Sequence, residues 1–171
     1  MKIIEGLKKC KDLSRKFDDL CEKIGKHSAY LDFETPVYAD QPGQVSAWLQ
    51  AGKDILAEIL KIKVAIQKTN LAVNVDIELD SGVVSKTIAE WIHRRRELAG
   101  FEKKMHSRLT DRGLKEEAEI KTTSGDKQKV KLIRCYDPAT RDKKIEEFIS
   151  EPTTIDARLE VINAITDITG L

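Results

Sequence analysis

Residues 44–73 read QVSAWLQAGKDILAEILKIKVAIQKTNLAV, and the spacing of their apolar side chains decides the fold. Val45, Trp48, Gly52, Ile55, Ile59, Ile62, Ile66, Thr69 and Val73 follow one another by alternate steps of three and four. That step keeps a single stripe on one face of a helix, over a length no strand reaches. Toward the start of the chain, Ile3, Leu7, Cys10, Ser14, Phe17, Cys21 and Ile24 repeat the same steps, and Leu13 and Leu20 widen the stripe. The two helices are separated by HSAYLDFETPVYADQPGQ, which holds Pro36 and Pro42 and reads as a long connection. Two matching heptad helices joined by one loop predict an antiparallel helical hairpin.

Beyond it the pattern changes. Residues 74–82, NVDIELDSG, alternate apolar and polar side chains and close on a turn-forming Asp-Ser-Gly, as a short strand or extended arm would. A third helix is expected to open at Ser85 or Thr87, with Glu90 placed for a capping box, and to run to about Arg112 before Gly113. Two alternating runs around Ser124-Gly125-Asp126 predict a β-hairpin, and Asp137-Pro138 marks a further helix start. Pro152 either begins a last helix or kinks that one; Ile155, Leu159, Ile162 and Ile165 continue a core stripe. The expected architecture is mostly α: an antiparallel helical bundle of about five helices with one small β-hairpin, residues 1–171 forming a single domain with the hairpin inserted near 117–136.

Composition agrees with that class and narrows the function. Of 171 residues, 40% are hydrophobic, 35% charged and only 5% aromatic, so the core must be aliphatic. Thirty basic residues against 29 acidic ones leave a formal net charge of +1, too little for a global field that would hold a nucleic acid polymer or an anionic membrane. Cys10, Cys21 and Cys135 show no CxxC spacing and read as small hydrophobes in a reducing compartment. Charges run through the first 26 residues and no long uncharged apolar stretch follows, so a cytoplasmic location is expected. His27, His93 and His106 lack metalloprotease or His-Asp spacing, and there is no Gly-rich phosphate loop or nucleophile elbow. A non-enzymatic protein without metal or cofactor is expected.

The candidate site lies on the third helix, EWIHRRRELAGFEKKMHSRLTDR at residues 90–112. Its seam by the same stepping is Ile88, Trp91, Arg95, Leu98, Glu102, Met105 and Leu109, so two seam positions carry charge. His106 falls within about 20° of Arg95 on that helix. A buried unpaired charge costs several kcal/mol, so these groups must pair with each other, with a partner helix or with a ligand, unless Arg95 snorkels past Trp91 to water. Around 127–136, Arg134 and Tyr136 share a strand face with Val130 and Leu132, where an arginine beside a ring would cradle a phosphate and a base. The alternative there is an edge strand carrying charges against aggregation.

The opening MKIIEGLKKCKDLSRKFDDLCEKIGKHSAYLDFETP, the IQKTN at 66–70 before the Asp-Ser-Gly turn, and the late IDARLEVINA together resemble a family of short bacterial helical proteins, some labelled septicolysin-like. Ala29, Glu34, Pro36, Thr69, Asn70, Asp156, Ile162 and Asn163 stand in places similar to the family's pattern. Ala164 replaces a Trp, Arg94-Arg95 stands in shifted register for an Arg-Asp pair, and KTTSGDKQKVKL looks inserted. The resemblance implies a helical bundle that self-associates, and no particular chemistry.

The function expected from these observations is a non-enzymatic, homo-oligomeric binding protein. It would hold a small phosphate-bearing or nucleotide-derived ligand by Arg94, Arg95 and Arg134, with ring contacts from Trp91 and Tyr136 and polar direction from Asn70, Asn74, Glu102 and His106, and so sequester a signalling nucleotide. The competing expectation is a structural or protein-interaction module whose inward charges set the register of an oligomer.

Overall fold

The computed structural model describes the whole chain, Met1–Leu171. In chain order the elements are α1 (Ile3–His27), α2 (Gln41–Ala72), β1 (Asn74–Leu79), β2 (Gly82–Thr87), α3 (Ile88–His93), a π-helical turn (Arg94–Leu98), α4 (Ala99–His106), β3 (Glu117–Lys121), β4 (Lys127–Lys131) and α5 (Pro138–Ile165). The π-turn joins α3 and α4 into one continuous helix over 88–106. The architecture is therefore mostly helical, with four helices and two small two-stranded sheets. The chain divides into two compact units: Met1–Val75 with Thr87–Ala89 and Leu159–Leu171, and Asp76–Lys86 with Glu90–Arg158.

In the first unit, α1 and α2 form the antiparallel hairpin that their heptads predict. Gly6 of α1 approaches Ile62 and Ile66 late in α2, while Phe17 approaches Gly52 earlier in it. A Cβ on Gly6 would stand 3.2 Å from Ile66 Cδ1 and 2.6 Å from Ile168 Cδ1, so glycine sets how closely these segments pack. The α2 stripe is oriented as expected, with Gly52, Ile62, Ile66 and Thr69 buried. On α1 the buried face is rotated from the one expected: Ile3, Gly6, Cys10 and Leu13 are buried, whereas Leu7, Ser14 and Cys21 face solvent. A glycine has no hydropathy to announce itself, so stepping through Leu7 selects the wrong edge of the stripe.

Asp40 caps α2, its side chain accepting the Gly43 N–H at 2.9 Å, so the helix begins three residues before the expected Gln44. The buried Thr69 hydroxyl donates to the Ala65 carbonyl and accepts the Thr169 N–H at 2.9 Å, which satisfies a polar group in an apolar setting. Lys2 and Asp167 form an antiparallel bridge, reinforced by a 2.6 Å ion pair between their side chains.

The second unit departs further from expectation. Residues 74–79 are the short strand of the two forms expected for them, and they pair with 82–87 across the Asp80-Ser81 turn, with Gly82 at φ 111°. Residues 82–87 are β2, where Val83, Val84 and Thr87 supply β-branched side chains suited to a strand, so the third helix opens after Thr87, the later of its two expected starts, with Ile88 its first residue. There are consequently two hairpins. The second, β3–β4, is antiparallel with Glu117 opposite Lys131 and Lys121 opposite Lys127. Pairing stops at Lys131, so Arg134 and Tyr136 stand beyond the strand on which they were expected. Asp137 starts α5 as its Asp-Pro signal implies, accepting the Thr140 N–H at 2.9 Å. Pro152 lies inside α5, which continues to Ile165, so the last two expected helices are one. The buried apolar side chains of this unit are Ile77, Trp91, Ala99 and Ile155.

Candidate functional site

The helix over 88–106 owes the alignment of its charged side chains to its π-turn. In an uninterrupted α-helix, positions eight apart differ by roughly 80° around the axis. The wider turn at Arg94–Leu98 accommodates one residue more than an α-turn, so positions 94 and 102 align as positions seven apart would. Arg94 and Glu102 thereby meet in a two-pronged pair, with Nη1–Oε1 at 2.7 Å and Nη2–Oε2 at 3.1 Å. The same slip displaces the expected seam by one position. Leu98 is 45% and Met105 63% exposed, whereas Ala99 is fully buried and His106 turns partly inward.

From α5, Glu151 closes on the opposite side of the guanidinium, accepting from Arg94 Nε at 2.5 Å and Nη2 at 2.8 Å. Four donated hydrogen bonds thus hold Arg94 between two carboxylates, with the side chain of Glu151 only 8% exposed. Hydrogen bonding to Glu151 first, and Glu102 next, pushes the arginine's pKa up, and the same pairing holds the Glu102 carboxyl below its ordinary value. The guanidinium carbon stands 5.5 Å over the Phe148 ring. His106 also approaches that ring, with centroids 5.3 Å apart. Its Nδ1 lies 3.0 Å from the Glu102 carbonyl oxygen, an acceptor only, so Nδ1 carries a proton and Nε2 is the ring's other polar atom. One turn earlier on α5, Lys144 pairs with Glu147 at 2.5 Å.

These groups wall a cavity of about 430 Å³ contained within the second unit. The β1–β2 hairpin contributes Glu78, Asp80 and Lys86; Trp91, Arg94, Glu102 and His106 come from the π-turned helix; and α5 brings Lys144, Glu147, Phe148 and Glu151. Five carboxylates therefore face three basic side chains.

Four of the side chains singled out by sequence, Trp91, Arg94, Glu102 and His106, line this cavity together. The other five do not. Arg95 pairs with Asp156 rather than with Glu102, because the π-turn gives the Glu102 partnership to its neighbour Arg94. Arg134 donates to Asp111 through Nε at 2.9 Å and Nη2 at 2.7 Å, and the Tyr136 hydroxyl donates to the same carboxylate at 2.8 Å. Those bonds, Arg134 first, hold the Asp111 pKa down to about 2. Arg134 and Tyr136 do stand together, but around a carboxylate. Asn70, whose buried side-chain oxygen has no hydrogen-bond partner, and Asn74 belong to the first unit.

The charged residues of α5 are the part that sequence reasoning missed. Lys144, Glu147, Glu151 and Ile155 advance by three and four, a helical stripe that changes from charged to apolar. That stripe was legible. No three His, Cys, Asp or Glu side chains gather as metal ligands would, and no helix is long and apolar enough to cross a membrane.

No family model matches the chain, and no curated protein matches it. Among solved structures, it is similar to a functionally unknown conserved protein from Corynebacterium diphtheriae, at 16% identity and a TM-score of 0.55, over 99% of each chain. That likeness is one of fold.

Proposed function

We propose that this is a non-enzymatic binding protein that holds a small polar molecule in the cavity beside Trp91 and Arg94. The observation that carries the proposal is the π-turn: it aims a largely buried guanidinium, already fixed by two carboxylates, at the wall of an open cavity. π-turns inside α-helices are uncommon and concentrate at functional sites. The cavity volume falls within the range of small-ligand pockets, and its mix of two aromatic walls with a few fixed polar groups is the lining such pockets have. A phosphate-bearing or nucleotide-derived occupant, and with it the sequestering of a signalling nucleotide, is the form of this reading with less support, since four of the five N–H groups of Arg94 are spent on carboxylates.

The test is a mass spectrum of the small molecules released when the purified protein is denatured. A compound released in proportion to protein supports the reading. Release of nothing, together with no thermal stabilisation by any compound added afterwards, contradicts it.

A self-associating structural module has its own supporting observation. Leu49, Leu56, Leu60 and Leu71 lie within about 60° of one another around α2 and are all exposed, by 49% to 67%. This second apolar stripe, away from the one that covers α1, would suit the same face of a second copy. The two readings are compatible in one molecule.

A further inference from the structure

We infer that the occupant of the Arg94 cavity is a small organic cation carrying a primary ammonium or guanidinium group, a conclusion that rests on the binding reading above and names its ligand class. The first ground is charge. Glu78, Asp80, Glu102, Glu147 and Glu151 line the cavity against Lys86, Arg94 and Lys144. Arg94 must serve both Glu102 and Glu151, Lys144 is taken by Glu147, and with Lys86 counted as well the lining still holds two carboxylates in excess. One guanidinium between two carboxylates leaves an excess negative charge, partly withdrawn from water, that a further cation would neutralise.

The second ground is the balance of hydrogen-bonding capacity. Arg94 has at most one N–H left for an incoming acceptor. The four oxygens of Glu102 and Glu151 each accept one of its bonds and each retain a further acceptor position. The part of the wall formed by Arg94, Glu102 and Glu151 is thus rich in acceptors and nearly exhausted in donors, and Lys86 is the one ammonium of the lining outside an ion pair. An ammonium or guanidinium supplies donors; a phosphate supplies only more acceptors. The third ground is the aromatic part of the wall, where Trp91 and Phe148 line the cavity beside the carboxylates and Phe148 already carries the Arg94 guanidinium over its ring, a setting that favours cations over anions.

Glu78 and Asp80 belong to the β1–β2 hairpin, which brings two carboxylates and the single ammonium of Lys86 to the lining. They extend the same negative character along the cavity wall, which suits a ligand with two cationic ends.

The experiment is calorimetric titration and thermal shift of the intact protein at about 0.15 M ionic strength, where loose surface association is screened. One panel is 1,4-diaminobutane, spermidine and agmatine; the other is AMP, ADP, cyclic AMP and inorganic phosphate. The expected result is saturable binding and a raised melting temperature with at least one cation and with no anion. Glu151→Gln is expected to weaken that binding about tenfold or more, the effect of removing one charge-assisted partner. Should Glu151→Gln fold poorly, the double change Glu78→Gln, Asp80→Asn tests the same claim without touching the clamp, and is expected to weaken the cation in the same direction. Binding of anions but not cations would overturn the ligand class and leave the binding reading standing. Cation binding indifferent to all three carboxylates would place the site elsewhere and overturn the assignment. Binding from neither panel, with no molecule released on denaturation, would overturn both.

Discussion

Arg94 and Glu102 stand eight residues apart on one continuous helix, yet their side chains meet in a two-pronged ion pair at 2.7 and 3.1 Å. Only a helix with an extra residue in one turn can do this, and the π-turn at Arg94–Leu98 supplies it. The turn, the clamp around Arg94 and the cavity beside it are consequently one construction.

Removal of the guanidinium tests the clamp. Arg94→Met leaves Glu151, 8% exposed, and Glu102 facing each other without their shared cation, and is expected to cost about 3 kcal/mol or more in urea denaturation. Adding Glu151→Gln to Arg94→Met is expected to recover part of that loss. Equal stability of wild type and Arg94→Met would show that the three groups are not coupled.

Deletion of Arg96 tests the turn itself. This exposed residue lies within the π-turn, and its removal lets 88–106 become an ordinary α-helix with Arg94 and Glu102 seven positions apart, on one face. Stability within about 1 kcal/mol of wild type is expected, the usual scale for a change confined to the surface. A loss comparable with that of Arg94→Met would mean that the extra residue does not absorb the register.

The helix also explains how far the sequence could be read. Steps of three and four located α1, α2 and the core face of α2, because apolar side chains mark every turn of them. On α1 the face was rotated, since Gly6 carries no signal of its burial. The π-turn has no signature in hydropathy at all, so a fixed step carried across it selects Leu98 and Met105 where the folded helix turns Ala99 and His106 inward, and it puts Arg95 rather than Arg94 in line with Glu102. Arg134 and Tyr136 were placed on a strand by alternation alone; their capture by Asp111 depends on a residue 23 positions from Arg134, which no local pattern discloses.

Acid titration examines that second cluster. The Asp111 pKa is lowered from 3.8 to about 2 by hydrogen bonds from Arg134 and then Tyr136. A depressed folded-state pKa gives stability that is fully present above the unfolded value and is lost as pH falls through the folded one. Asp111→Asn is therefore expected to remove part of the fall in denaturation midpoint between about pH 4 and pH 2, while Arg134 keeps its contact with Glu116. Superimposable pH profiles for wild type and variant would show that Asp111 contributes nothing to acid stability.

The exposed α2 stripe makes a separate prediction about assembly. Leu56→Asp with Leu60→Asp places two charges on a face that leaves the α1-facing stripe untouched. Light scattering of the wild type is expected to give a mass above the chain's 19.3 kDa, and that of the double variant to fall to it. A wild type of 19.3 kDa at micromolar concentration would contradict self-association through this face.

The most direct measurement of the central claim uses the indole that forms part of the cavity wall. The chain has two tryptophans, Trp48 in the first unit and the fully buried Trp91 in the second, so Trp48→Phe leaves Trp91 as the sole reporter. Titrating this variant with spermidine is expected to change its fluorescence saturably, with the response displaced to higher concentration by Glu151→Gln and absent with AMP. Emission that stays flat across the cation titration, or that responds to AMP instead, would contradict the account.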